Sequence, residues 1–138
     1  MKKLSVVVDT NRIIAALIKD SFSRNILYHA DLEFFGVSAS FPEVEKYKSM
    51  ILKKAKLTDE EFEVLFDKLN SRIIFLPDDL IMLKVEEAKQ IMFHIDPGDV
   101  PFIAAVLATG TGVWSEDPHF AKQTAVKVWR TKDLAQFL

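Results

Sequence analysis

The sequence predicts a three-layer α/β sandwich built on a five-stranded parallel sheet. Short apolar runs rich in β-branched residues alternate along the chain with segments of helical period, which is the pattern of strands joined by crossover helices. Those runs are nearly continuous in apolar character, as expected of strands covered on both faces. No repeat, low-complexity tract or linker interrupts the 138 residues, so one domain spanning 1–138 is expected.

The elements follow in order. Leu4 to Val8 is a β-branched run, ended by Asp9-Thr10-Asn11, and reads as the first strand. Ile13, Ile14, Leu17 and Ile18 then recur at helical spacing. A second helix follows Ser21 and includes Ile26, Leu27 and Ala30. Phe34, Phe35 and Val37 mark the second strand. Helical spacing resumes at Pro42, with Val44, Tyr47 and Ile51 on one face. Thr58 and Glu61 form a capping box, and Phe62, Leu65, Phe66 and Leu69 give the amphipathic stripe behind it. Arg72 to Leu76, stopped by Pro77, is the third strand. Asp78 or Asp79 opens one helix through Leu80, Leu83, Ala88 and Ile91. His94 to Gly98 is a loop, and Asp99 starts a helix with Pro101 in its first turn, where proline is tolerated. That helix is apolar nearly all round, so it should be buried, and Gly110 ends it. Gly112 to Ser115 is strand four, Asp117-Pro118 starts a short helix, Val126 to Trp129 is strand five, and a helix over Thr131 to Leu138 closes the chain.

Composition narrows the function. The chain has no cysteine, which excludes disulfides, Cys-ligated zinc and a thiol nucleophile, and fits a reducing cytoplasm as the expected location. The longest strongly apolar stretch, Val100 to Leu107, is broken by Pro101 and falls far short of the ~20 residues that span a bilayer. Asp9 cuts off the apolar run behind Met1-Lys2-Lys3 too early for a signal peptide. The formal net charge is −2, so no global basic field advertises nucleic acid, although bound cations can offset acidic groups locally. The four glycines form neither GxGxxG nor GxxxxGK[ST], and no serine sits in an elbow motif.

What stands out is a set of acids distributed along this order. Asp9 follows strand one, Glu43 lies in the helix after strand two, Asp96 and Asp99 flank the start of the buried helix, and Asp117 lies just past strand four. In open α/β sheets, sites form beyond the carboxyl ends of the strands. Taken singly, each acid reads as structural: Asp9, Asp99 and Asp117 as helix caps, Glu43 as a first-turn carboxylate complementing the helix dipole. Taken together they are harder to dismiss. Carboxylates converging at ~5 Å repel by roughly 3 kcal/mol per pair at an effective dielectric of ~20. Protonation or bound cations must relieve that, and all-oxygen donors favour Mg2+ or Mn2+ over zinc.

The motifs that carry these acids resemble those of PIN domains (PilT amino-terminus-like), a family that includes the ribonuclease toxins of bacterial and archaeal toxin–antitoxin pairs. The resemblance runs from about Leu4 to Leu134. Val8-Asp9-Thr10-Asn11 resembles the first motif, Pro42-Glu43-Val44-Glu45-Lys46-Tyr47 the second, Asp96-Pro97-Gly98-Asp99 with the helix behind it the third, and Trp114-Ser115-Glu116-Asp117-Pro118-His119-Phe120 the fourth. The resemblance implies a parallel sheet in the order 3-2-1-4-5 and an endoribonuclease that hydrolyses RNA with Mg2+ or Mn2+. It implies Asp9, Glu43, Asp99 and Asp117 as metal ligands and catalytic residues, with Glu45 the alternative to Glu43. Thr10, Asn11, Ser115 and Asp96 would support them. A small antitoxin protein would be the partner of a toxin, and a homodimer is expected.

Other residues are weighed beside these. Arg12, Lys46 and Lys48 are candidates to guide RNA phosphates, against the reading of a solvated helix face. His119 is weighed as metal ligand or acid, with a helix-surface histidine preferred. Trp114 and Trp129 read as core rather than base-stacking platforms. Phe62, Phe66 and Leu69 are weighed as a dimer face. Two alternatives to the nuclease are kept. One is a non-catalytic RNA-binding or scaffold module whose acids are caps. The other is a phosphatase of the haloacid dehalogenase type, whose DxD motif would need an acid where Asn11 stands.

Overall fold

A computed structural model describes residues 3–138; Met1 and Lys2, the first residues of the positively charged start, lie outside that range. The sheet contains β1 (Ser5–Val8), β2 (Glu33–Gly36), β3 (Ile73–Phe75), β4 (Gly112–Trp114) and β5 (Val128–Trp129). Their order is β3-β2-β1-β4-β5 and every pairing is parallel, as the family resemblance implied. β1 is central: Val6 pairs with Phe34 of β2 and with Gly112 of β4.

The alternation of side chains along β1 builds two cores. Val6 and Val8 face one cluster with Ile13, Leu17, Ile26, Phe34, Ile51, Phe62 and Trp114. Val7 faces the other, with Ala88, Met92, Phe102, Ala105, Val106, Val113 and Phe120. The first core is covered by α1 (Thr10–Ile18), α2 (Phe22–His29), α3 (Ser40–Lys46), α4 (Lys48–Ala55), α5 (Asp59–Asn70) and α9 (Thr131–Leu134). The second is covered by α6 (Asp78–Met82), α7 (Val85–Met92) and α8 (Val100–Thr109). Hence three layers. α8 is buried at Val100 and from Phe102 to Val106, as its all-round apolar sequence requires, and it stops at Gly110, whose φ of 66° favours a residue without a side chain.

Several sequence expectations are corrected. The helix expected from Pro42 through Ile51 begins at Ser40 and breaks at Tyr47 (φ −99°, ψ 6°), giving α3 and α4. The break leaves two short helices that both pack on α1. The helix expected from Asp78 or Asp79 through Ile91 breaks at Leu83 and Lys84, giving α6 and α7. The turn expected to be a helix after Pro118 is a 3-10 turn over Phe120–Lys122. The closing helix over Thr131 to Leu138 is α9 followed by a 3-10 turn over Ala135–Phe137. Strand five is confined to Val128–Trp129, and Val37 lies past β2. The capping box at Thr58 and Glu61 forms as read, with reciprocal bonds of 3.0 and 3.1 Å. Such a cap contributes about 1 kcal/mol to helix stability. Of the three residues weighed as a dimer face, Phe62 and Leu69 are buried in the chain's own core, at 1% and 0% exposed, and Phe66 is half-buried. Among the described residues, no helix is long and apolar enough to cross a membrane.

Candidate metal centre

β1 and β4 end side by side, so the residues that follow them are adjacent although far apart in sequence. β1 also separates the two directions in which the chain winds, β2 and β3 to one side, β4 and β5 to the other. The crevice at such a point is where open α/β sheets bind ligands. Asp9 emerges there, 3% exposed, in the N-cap position of α1, yet its carboxylate makes no cap hydrogen bond. Ser115 instead donates to Asp9 Oδ2 at 2.7 Å, and its hydroxyl oxygen accepts the Asp117 N–H at 2.9 Å. One buried hydroxyl thus ties the end of β1 to the turn after β4.

Asp99 ends a 3-10 turn over Pro97–Asp99 and stands at the N-cap position of α8, again with no side-chain cap bond. It is 9% exposed, and its Oδ2 is buried without a hydrogen-bond partner. Two of the acids do local work with one oxygen each. Asp96 Oδ1 accepts the Gly98 N–H at 2.9 Å, and Asp117 Oδ1 accepts the His119 N–H at 2.9 Å. The reading of every acid as a cap therefore accounts for one oxygen of Asp96 and one of Asp117, and for neither carboxylate of Asp9 or Asp99.

The electrostatics show convergence. Burial, followed by the charges of Asp96, Asp9, Asp117 and Glu43, pushes Asp99 up to about 8. Burial and the neighbouring Asp117 raise Asp9, against the hydrogen bond from Ser115. Burial and the neighbouring Asp9 raise Glu43, with the Thr10 hydroxyl and Lys46 acting in the other direction. Glu43 reaches the site because the Thr10 and Ser40 hydroxyls, 2.8 Å apart and buried, fasten the start of α3 to the start of α1. Glu45 is exposed and lies on the side of Lys48, so the acid of the second motif that meets the others is Glu43.

Not every candidate converges. Asn11 is exposed on the first turn of α1, outside the acid cluster, which also removes the position a DxD phosphatase would use. Lys48 faces α5, 3.2 Å from Asp59 and 3.3 Å from Glu63, so its charge is engaged away from the site. Arg12 bonds Ser23 at 3.2 Å and its charge reaches Asp9. Lys46 is exposed, its ammonium over the Tyr47 ring at 5.4 Å. Trp114 is core, donating from its indole to Thr131 at 3.1 Å.

His119 lies on the turn after β4, beside the acids, rather than on a helix surface. Its Nδ1 lies 2.9 Å from Asp96 Oδ2, 3.5 Å from Asp117 Oδ1 and 3.9 Å from Asp99 Oδ2. The signal was available in Asp117-Pro118-His119. An aspartate that accepts the N–H two residues on closes a tight turn and folds that residue back over it.

This donor set suits a divalent cation. The like charges oppose one another's ionisation, oxygen donors dominate, and a buried carboxylate oxygen has no protein partner. Magnesium and manganese belong to the class of ion that such ligands hold.

A family model described as PIN domain matches residues 7–138. Among solved structures, a chain in the crystal structure of VapBC2 from Rickettsia felis bound to a DNA fragment from their promoter superposes with a TM-score of 0.69 at 16% identity. The match covers 92% of this chain and 98% of that one; at such identity it speaks for the fold. No curated protein matches. The match over nearly the whole length, on a sheet of this order with acids gathered at its carboxyl end, shows that the chain belongs to the PIN-domain family.

Proposed function

We propose that this chain is a metal-dependent endoribonuclease that hydrolyses phosphodiester bonds of single-stranded or structured RNA. Asp9, Glu43, Asp99 and Asp117 would hold Mg2+ or Mn2+. The observation that carries this reading is the Asp99 carboxylate: buried, with one oxygen unpartnered, at the focus of four other acids. When bound, the ion supplies a more acidic water and neutralises charge on the phosphate and on the leaving oxygen.

The residues of the chain do the rest. Ser115 fixes the rotamer of Asp9 and the turn bearing Asp117 with a single hydroxyl. The Thr10–Ser40 contact holds the first turn of α3, and so Glu43, against the end of β1. Asp96 closes the turn that points Asp99 inward. The charges of Arg12 and Lys46 act on Asp9 and Glu43, and these two side chains would meet an incoming phosphate.

The test is cleavage of end-labelled RNA by the purified chain with Mg2+ or Mn2+, abolished by EDTA. Asp9→Asn should lower the rate by about three orders of magnitude or more, in line with losing the group that organises the nucleophile. Full activity in that variant rejects the mechanism. The VapBC2 complex supports a further part of the proposal, that this chain acts as a toxin restrained by a small partner protein. A homodimer in the cytoplasm is the assembly and location proposed. Growth arrest on expression, relieved by a co-expressed neighbouring gene product, would support the toxin role; harmless expression of an active nuclease would remove it.

A further inference from the structure

The four acids of the proposed centre are all oxygen donors, but the side-chain cluster at the end of β4 is not. One ligand atom from each of Asp96, Asp99, Asp117 and His119 lies within 4.8 Å of the others. Two donors on one ion at about 2.1 Å stand no more than about 4.2 Å apart. Closure of this set around an ion therefore needs shifts of only a few tenths of an ångström at each group.

The turn orients the ring for that. The His119 N–H is held by Asp117 Oδ1, and Phe120, fully buried, anchors the next residue in the second core. His119 is left 39% exposed at its side chain, with Nδ1 turned inward over the carboxylates. Asp96 Oδ1 and Asp117 Oδ1 are committed to backbone N–H groups. Asp96 Oδ2 faces the ring at 2.9 Å, and Asp99 Oδ2, buried and unpartnered, faces it at 3.9 Å, beyond hydrogen-bond length. The one proton that Nδ1 can carry is engaged by Asp96 Oδ2 in a hydrogen bond, so Asp99 Oδ2 remains buried without a partner, and an ion in that proton's place would meet both oxygens and the ring nitrogen.

We propose that His119 Nδ1, with Asp96, Asp99 and Asp117, forms a mixed nitrogen–oxygen site that selects a divalent transition ion of the manganese class over magnesium. Imidazole adds affinity for transition ions and little for magnesium, which prefers oxygen and retains its water. This rests on the nuclease reading for its biological use, but the binding chemistry stands apart from RNA cleavage. His119 is then a specificity-determining ligand rather than a surface residue.

The experiment uses the full chain and Mn2+ alone. Pulsed electron paramagnetic resonance on the Mn2+-loaded wild-type protein should show coupling to an imidazole nitrogen, a measurement that needs no variant to fold. Calorimetric titrations then compare Mn2+ and Mg2+ on the wild type, His119→Gln and His119→Asp. In His119→Gln the ratio of Mn2+ to Mg2+ affinity should fall at least the tenfold that losing even an outer-sphere partner costs. His119→Asp, which restores an oxygen donor, should bind both ions with the ratio shifted towards Mg2+. Absence of nitrogen coupling, or an unchanged ratio in His119→Gln, overturns the proposal. RNA cleavage measured in parallel separates the two claims: cleavage without nitrogen coupling sinks this inference alone, and nitrogen coupling without cleavage sinks the nuclease reading alone.

Discussion

The two ends of the sheet use charge in opposite ways. At the amino ends of the strands a cleft of about 550 Å³ is lined by Lys3, Ser5, Glu33, Thr111, Lys127 and Trp129. There the charges are matched: Lys3 pairs with Asp31 at 3.3 Å, Ser5 donates to Glu33 at 3.0 Å, and the Lys127 ammonium sits 4.3 Å from the Trp129 ring centre. At the carboxyl ends, buried acids face one another and Asp99 keeps an oxygen without a partner. A sizeable cleft thus lies at the electrostatically quiet end. Size of cleft and location of chemistry are separate properties, and the frustrated end is the one expected to do work.

Substitutions at the two ends should separate this difference most widely in activity. Asp99→Asn at the carboxyl end should lower RNA cleavage by about three orders of magnitude or more. Glu33→Gln at the amino end should leave the rate within a factor of two and stability within about 0.5 kcal/mol. Comparable losses at both ends would erase the distinction. Next in size is the response to metal. Mn2+ at a hundredfold excess over its dissociation constant should stabilise the wild type by about 2.7 kcal/mol in denaturant unfolding, and EDTA should reverse it. Asp99→Asn should lose most of that gain and Glu33→Gln none of it.

The carboxyl end should also dictate the pH dependence of the metal-free chain. Asp99 has a folded value of about 8 against an ordinary 3.8, and Asp9 and Glu43 are raised as well. Between those values the folded state holds protons that the unfolded state releases. Stability is therefore greatest near pH 4 and falls as pH rises towards about 8. Asp99→Asn should flatten that decline, and at pH 9, without metal, should be more stable than the wild type. A profile that rises across this interval would contradict the electrostatic account. The smallest effect concerns the tie between the strand ends. Ser115→Ala should cost about 1–3 kcal/mol, the range for removing a partner from a buried polar group, and should reduce cleavage less than Asp99→Asn does.

Much of the fold was legible because burial imposes periodicity. Val6, Val7 and Val8, read as a strand buried on both faces, do serve two cores, and α8 is as buried as its composition demanded. Strand order was legible only by family resemblance, since apolar runs do not say which run lies beside which. Helix breaks at Tyr47 and at Leu83–Lys84 were not legible. Neither carries a glycine or proline, and on each side of the break the helices pack on the same neighbour, α1 in one case and α8 in the other, so no change of hydrophobic period marks it. For the site, sequence order put the acids at the right end of the sheet. It missed how His119 turns, because that depends on which atom accepts one backbone N–H. It also could not tell Lys46 from Lys48, which differ in whether α5 offers acids to pair with.

The Ser115–Asp9 hydrogen bond joins residues 106 apart in sequence. During synthesis, the first half of the chain to leave the ribosome already carries Asp9 and Glu43 but neither the hydroxyl that orients Asp9 nor the turns bearing Asp99 and Asp117. Contacts of such separation form late, because a long loop must be closed before they return any free energy. A nascent fragment accordingly lacks the assembled acid cluster, which is complete only when β4 has docked beside β1.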